Sequence, residues 1–393
     1  MIGGIFQNPT KVFFGKETLH LLKEALPVRS NGILIVRGGD SYMTCGAGEF
    51  IRKVLQGKKM RYIELGNVCS NPEADFVYRG IRICREENID FILAVGGGSV
   101  IDTAKAIAIG VPYDGDFFEL FEKKLRPSKA LPVGVILTIP GSGSETSCGA
   151  VITHRQLARK LDCSSDVMYP VFAFLNPEFS ITVPEYLTSC GIVDAISHLL
   201  ERFFSNTDFV ETTDHIICGL AHVLMSYALK LKKQPLSYDF RAEVMWACKL
   251  SHDNTAGFGR KQDWGSHGIS HEINLFTTAP HGAILSLVFP AWMRLVAKYN
   301  PTKNIEFSRC IMQVDSTGLT EAEYIEAGIK KYEASIRPLT AGVRRRDGPP
   351  SIPSRQSTTG LTSAWCTGRP TTAPLSTDCS SPRRISIPRR SIL

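Results

Sequence analysis

The chain has 393 residues, 43% hydrophobic and 21% charged, which excludes wholesale disorder and leaves room for two or three domains with a sizeable core. No apolar run approaches the roughly 20 residues that span a bilayer, and the start MIGGIFQNPTKVFFG lacks a signal peptide's long apolar stretch. The net charge of +7 suggests a nucleic acid or membrane partner, but residues 337–393 alone hold ten Arg, no Lys, two Asp and no Glu, so the preceding 336 carry −1.

The first half alternates short apolar runs with helical patterns, the signature of βαβ units and a mostly parallel sheet. Strands are expected over 32–37, 61–65, 91–95, 133–139 and 171–175, with 12–14 pairing at an edge. Helices are expected between them over 46–55, 73–87 and 100–109. Past about Val183 the strand signal fades, and 186–204, 210–232, 240–254, 281–299 and 320–335 carry helical periodicity. The expected fold is therefore an α/β domain with a mostly parallel sheet over 1–183 followed by an all-α domain over 184–336, with a ligand in the cleft between them. Eleven scattered cysteines without a CxxC pair point to reduced thiols and a cytoplasmic location.

Three loops at strand ends carry chemistry. The strand FILAV runs into Gly96, Gly97, Gly98 and Ser99 and then a helix with Asp102 and Lys105. Strand, glycine turn and helix aim backbone N–H groups at a phosphate, although a tight turn without a ligand has the same shape. It is not GxGxxG, so the standard Rossmann fingerprint is absent. A second cluster, TIPGSGSE, brings Thr138, Ser142 and Ser144 to the end of another strand. Two such loops suit one extended, phosphate-bearing ligand. A third, with Gly38, Gly39, Asp40 and Ser41, ends the GILIVR strand where an adenosine ribose would lie. There an acid favours a free 2′-hydroxyl and donors favour a 2′-phosphate.

Seven of the nine histidines fall between His198 and His281. Asp194 and His198 stand at i and i+4 on one helical face, and His267 and His281 follow. One carboxylate and three imidazoles form a mixed N/O set for Fe²⁺ or Zn²⁺; a local Asp–His hydrogen bond is the simpler alternative. His215 and His222 form a rival pair, and His271 is a possible fifth pocket histidine.

Taken together the motifs resemble the iron-containing (group III) alcohol dehydrogenase family. The likeness runs through GGGSVIDTAKAIA at 96–108, LTIPGSGSE at 137–145, VFAFLNPEF at 171–179, GIVDAISHLLE at 191–201, QDWGSHGISHE at 262–272 and PHGAILSLVFPAW at 280–292. GSGSETSCGAVIT and QDWGSHGISHE are most similar to its butanol dehydrogenase and NADPH-dependent aldehyde reductase branch. The resemblance implies that the α/β domain over 1–183 binds a dinucleotide and the all-α domain over 184–336 a metal, with Asp194, His198, His267 and His281 as metal ligands, Gly96, Gly97, Gly98 and Ser99 at the pyrophosphate, and Thr138, Ser142 and Ser144 along the cofactor. It places Asp102 near the nicotinamide and His271 beside the metal as a proton relay. It further implies hydride exchange between NAD(P)H and a small alcohol or aldehyde, in a homodimer that binds neither nucleic acid nor membrane. Gly38, Gly39 and Ser41 favour NADP(H) over NAD(H), while Asp40 departs from the glycine common there. Glycerol dehydrogenases and dehydroquinate-synthase-like enzymes share the architecture and are the enzyme alternatives, and a nucleic-acid-binding protein acting through the basic tail is the non-enzyme one.

The family continues with further helices, but here the likeness stops near Ile336. Arg, Ser, Pro and Thr supply 35 of the last 57 residues, the composition of a disordered tail or of a GC-rich gene read out of frame. The expectation is a frameshift near 336–338.

Overall fold

The apolar runs of the first half have side chains that must alternate between two faces, so both faces need covering. In the computed structural model of the chain, which describes residues 1–340, eight strands form: β1 (Lys11–Phe14), β2 (Ile33–Arg37), β3 (Tyr62–Leu65), β4 (Phe91–Gly96), β5 (Val133–Leu137), β6 (Gly149–His154), β7 (Arg159–Ser164) and β8 (Phe172–Leu175). Six make one sheet in the order β1-β8-β5-β4-β2-β3, and every pairing in it is parallel. Leu34, Val36, Ile92 and Ala94 enter the core on one face, and Ile33, Ile35, Phe91 and Leu93 the core on the other. The covering helices are α1 (Ala47–Gly57), α2 (Ala74–Glu86) and α3 (Gly98–Gly110). Helix α3 is apolar nearly all round because β4 backs it on one side and β6 on the other.

The hairpin of β6 and β7 was not anticipated. Its strands, GAVITH and RKLDCS, are short; the second is half charged, and its buried positions, Lys160 and Cys163, show no period-2 alternation. Packing on α3 and α2 decides it, which no local pattern reveals.

The second half is helical. It contains α4 (Glu185–Phe203), α5 (Glu211–Lys233), α6 (Tyr238–His252), α7 (Gly265–Asn274), α8 (His281–Ala297) and α9 (Glu321–Thr340). These surround their own core, in which Leu199, Phe203, Phe289 and Tyr332 are almost fully buried. The α/β part and the helical part are thus a parallel-sheet unit and a helical unit, each with a separate core. The helix α9 continues to Thr340, past the 336/337 limit expected for the tail, with Pro338 inside its last turn. Residues 341–393, on which the tail and frameshift expectations chiefly fall, lie outside the described residues. Helix α7 escaped the sequence reading because GSHGISHEIN is poor in helix formers. None of the helices among the described residues is long and apolar enough to cross a membrane.

Candidate active site

The strand order reverses between β2 and β4, and a cleft of about 800 Å³ opens at the carboxyl ends of β2, β4 and β5. Its floor is backbone. Gly96 ends β4, Gly97 caps α3 and Gly98 is that helix's first residue, so the helix's free N–H groups point into the cleft. The second loop lies against the first: a Cβ on Gly98 would stand 2.4 Å from Ser142 Oγ. Gly38, Gly39 and Ser41 line the far end, and Ser99, Thr138, Ser142 and Ser144 line the middle.

Asp40 does not join them. Its carboxylate is 94% exposed and lies 3.8 Å from Arg37, turned out of the cleft. Asp102 does line the cleft, but both its oxygens are engaged: one accepts from Ser144 Oγ at 2.6 Å and the other from the Val151 N–H at 3.0 Å. One turn on, the buried Lys105 donates to the carbonyls of Ser144, Ser147 and Gly149 at 2.6, 2.7 and 3.0 Å. Together the two residues pin the second loop to α3. Burial pushes the Asp102 carboxyl up and outweighs the opposing pull of Lys105.

The opposite wall is made of side chains. Asp194 and His198 project from α4, His267 and His271 from α7, and His281 opens α8. Asp194 Oδ1 is the focus: Nε2 of His198 lies 3.6 Å from it, Nε2 of His281 3.8 Å and Nε2 of His267 3.9 Å. The donor atoms of Asp194, His267 and His281 lie within 4.8 Å of one another, and His198 joins through Asp194. These separations are too long for hydrogen bonds. They suit atoms sharing a cation, because bonds of ~2.0–2.2 Å set tetrahedral donors about 3.4 Å apart. Asp194 Oδ1 and His267 Nε2 are buried without a hydrogen-bond partner, as expected of atoms arranged for a cation.

The electrostatics agree. Burial holds the His198 and His281 imidazoles well below their ordinary range, so they are neutral and offer lone pairs. Burial also lifts the Asp194 carboxyl to about 6, against the pull of His267 and Lys160. A buried carboxylate beside the neutral His198 and His281 imidazoles is a place where a divalent ion would supply positive charge. His271 lines the same cleft with its ring centroid 5.4 Å from that of His281, and burial takes its imidazole down to about 3. His215 and His222 do not line the cleft; His222 Nε2 instead meets the Ile311 carbonyl at 2.8 Å.

Residues 9–177 match the family described as "Iron-containing alcohol dehydrogenase", and residues 188–346 match "Fe-containing alcohol dehydrogenase family, C-terminal". The chain belongs to the iron-containing alcohol dehydrogenase family. It is an oxidoreductase of that kind. Among its relatives is the "Probable NADH-dependent butanol dehydrogenase 1" of Bacillus subtilis, 34% identical over 87% of this chain and 88% of that one. The "NADPH-dependent aldehyde reductase" of Escherichia coli is 31% identical over 82% and 83%. The crystal structure of the NADH-dependent butanol dehydrogenase A of Thermotoga maritima superposes with a TM-score of 0.83 at 32% identity, covering 87% of this chain and 85% of that one.

Two residues of this alcohol dehydrogenase were missed in its sequence. Lys160, on the unexpected hairpin, lines the cleft and donates to Asn71 Oδ1 at 2.9 Å and Asn274 Oδ1 at 2.8 Å. Burial brings its ammonium down to about 8. No local signal marks it, since its partners are 89 and 114 residues away. Glu201 stands behind His267 and accepts its Nδ1–H at 2.8 Å. Its signal was present: Asp194, His198 and Glu201 fall at i, i+4 and i+7 on one face of α4.

Proposed function

We propose that this alcohol dehydrogenase reduces short aldehydes, butyraldehyde among them, and oxidises the corresponding primary alcohols. Asp194, His198, His267 and His281 would hold one Fe²⁺ or Zn²⁺, both of which tolerate this ligand set. The observation that carries the reading is the convergence of three imidazole Nε2 atoms on Asp194 Oδ1, at 3.6–3.9 Å, opposite a glycine-built phosphate cradle. A divalent cation held there supplies Lewis-acid polarisation of the substrate oxygen.

The chain's own residues do the rest. Gly96, Gly97, Gly98 and Ser99 bind the pyrophosphate through backbone donors, and Thr138, Ser142 and Ser144 run along the cofactor. Asp102 acts through Ser144, fixing the loop that orients the nicotinamide. His271 is a proton carrier between cleft and solvent; it is neutral at ordinary pH, so it works by passing a proton on and not by storing one. NADP(H) is favoured because Gly38, Gly39 and Ser41 face the ribose end while the Asp40 carboxylate points away. The nine cysteines among the described residues are all free thiols, which supports a cytoplasmic location. The homodimer rests on the family resemblance.

The test is a cofactor and aldehyde screen on purified protein. NADPH consumption with butyraldehyde should exceed NADH consumption, cease on chelation, return with Fe²⁺ or Zn²⁺, and be lost in His281→Ala. Turnover that survives both chelation and His281→Ala overturns the reading.

A further inference from the structure

We infer that Glu201 is a positioning residue for the metal centre: it fixes the tautomer and aim of His267 and at the same time starts the helix that carries it. The inference rests on the four-ligand reading of the site.

Glu201 is completely buried. Its Oε1 accepts three donors from the first turn of α7: Ser266 Oγ at 2.5 Å, the His267 backbone N–H at 3.0 Å and His267 Nδ1–H at 2.8 Å. Each bond has its own consequence. A carboxylate can only accept, so Nδ1 of His267 must carry the ring proton and Nε2 must present a lone pair. That Nε2 is the atom left buried without a partner and 3.9 Å from Asp194 Oδ1. The bond also fixes rotation about the Cβ–Cγ axis, so the lone pair is aimed as well as free.

The backbone bond does different work. Helix α7 begins Gly-Ser-His-Gly, a sequence with little helical preference; the nearby Asp263 Oδ1 accepts the Gly265 N–H at 2.7 Å but leaves that of His267 without a local side-chain acceptor. Glu201 supplies the missing acceptor from α4 and sets a negative charge at the positive end of α7. One carboxylate thus shapes the helix and orients the ligand on it. Because α4 carries Asp194, His198 and Glu201 along one face, a single helix supplies two ligands and aligns a third. The buried guanidinium of the next residue, Arg202, donates to the His198 carbonyl at 2.8 Å.

Two variants separate the roles. Glu201→Gln keeps an acceptor for the cap and for Nδ1–H but removes the charge, whereas Glu201→Leu removes all three bonds. Zn²⁺ affinity, measured by chelator competition, should fall about 10-fold in Glu201→Gln and up to about 100-fold in Glu201→Leu. Nitrogen-15 NMR of histidine-labelled protein should find His267 protonated on Nδ1 in the parent and in Glu201→Gln. A purely structural role would alter the melting temperature without changing Zn²⁺ affinity in Glu201→Gln. Parent-like Zn²⁺ affinity in a folded Glu201→Gln overturns the inference, and this variant alone suffices if Glu201→Leu does not fold. Asp194→Asn is the control: if it binds Zn²⁺ as the parent does, the four-ligand reading itself fails.

Discussion

The two walls of the cleft are made of opposite materials. The α/β wall presents backbone: glycines, helix N–H groups and short hydroxyls, held by Asp102 and Lys105 from behind. The helical wall presents side chains: one carboxylate and three imidazoles converging from α4, α7 and α8. A backbone wall fails when atoms are added, and a side-chain wall fails when atoms are removed. The two also fail in different observables, one in cofactor binding and the other in metal binding.

The largest effect should come from subtraction on the helical wall. Asp194→Asn keeps the volume but removes the charge to which three Nε2 atoms lie closest. Bound metal should fall below stoichiometric by elemental analysis. Aldehyde reduction should drop by at least ~1000-fold, the several kcal/mol that Lewis-acid polarisation provides at about 1.36 kcal/mol per decade. Cofactor affinity, followed by nicotinamide fluorescence, should hardly move. If the dissociation constant for NADPH rises as much as turnover falls, the two walls are not independent and the comparison breaks.

Addition to the α/β wall should give the converse at smaller size. In Gly98→Ala the new Cβ would sit 2.4 Å from Ser142 Oγ and 2.8 Å from its Cβ, so one glycine loop must move off the other. Overpacking of this kind costs about 1–3 kcal/mol. If it is spent on the loop geometry that binds pyrophosphate, cofactor affinity falls roughly 5- to 150-fold. Zn²⁺ stoichiometry should stay at the parent level. Weakened cofactor binding accompanied by metal loss would mean that the close contact between Pro140 and Gly191, three residues before Asp194, transmits strain across the cleft.

The same contrast explains what was legible beforehand. A backbone wall leaves a local trace, because strand, glycine turn and helix are consecutive in the chain, and FILAV-GGGS could be read directly. All five expected sheet strands and the 12–14 edge strand form, with ends shifted by a few residues. The side-chain wall is assembled from positions up to 87 residues apart, so spacing alone could propose Asp194 and His198 but not choose His267 and His281 over His215 and His222. Family resemblance supplied that choice. What neither route reached depends on long-range packing. Helix α7 forms against its own propensities through Glu201, and Lys160 enters the cleft on the hairpin strand RKLDCS, which looks polar.

The last expected effect is on stability and concerns a side chain trapped within the backbone wall. Glu145 lies beneath the second glycine loop, fully buried, with neither carboxylate oxygen hydrogen-bonded. Burial raises its carboxyl to about 7, overcoming Lys105 and Lys249, which favour the charged form. Between the ordinary 4.5 and about 7 the folded chain therefore holds a proton that the unfolded chain has released. Stability conferred through this group falls as pH rises across that window and is constant above it. Glu145→Gln keeps the shape and cannot ionise, so it should match the parent near pH 4.5 and exceed it at pH 8. Each pH unit across that window is worth about 1.36 kcal/mol, so the gain at pH 8 should be roughly 1–3 kcal/mol, or a few degrees in melting temperature. Melting curves of both proteins at the two pH values check this. A gain of equal size at both would trace to packing instead of charge. No gain at pH 8 would mean that Lys105 and Lys249 already stabilise the carboxylate, and that the loop wall tolerates a buried charge as readily as the metal wall does.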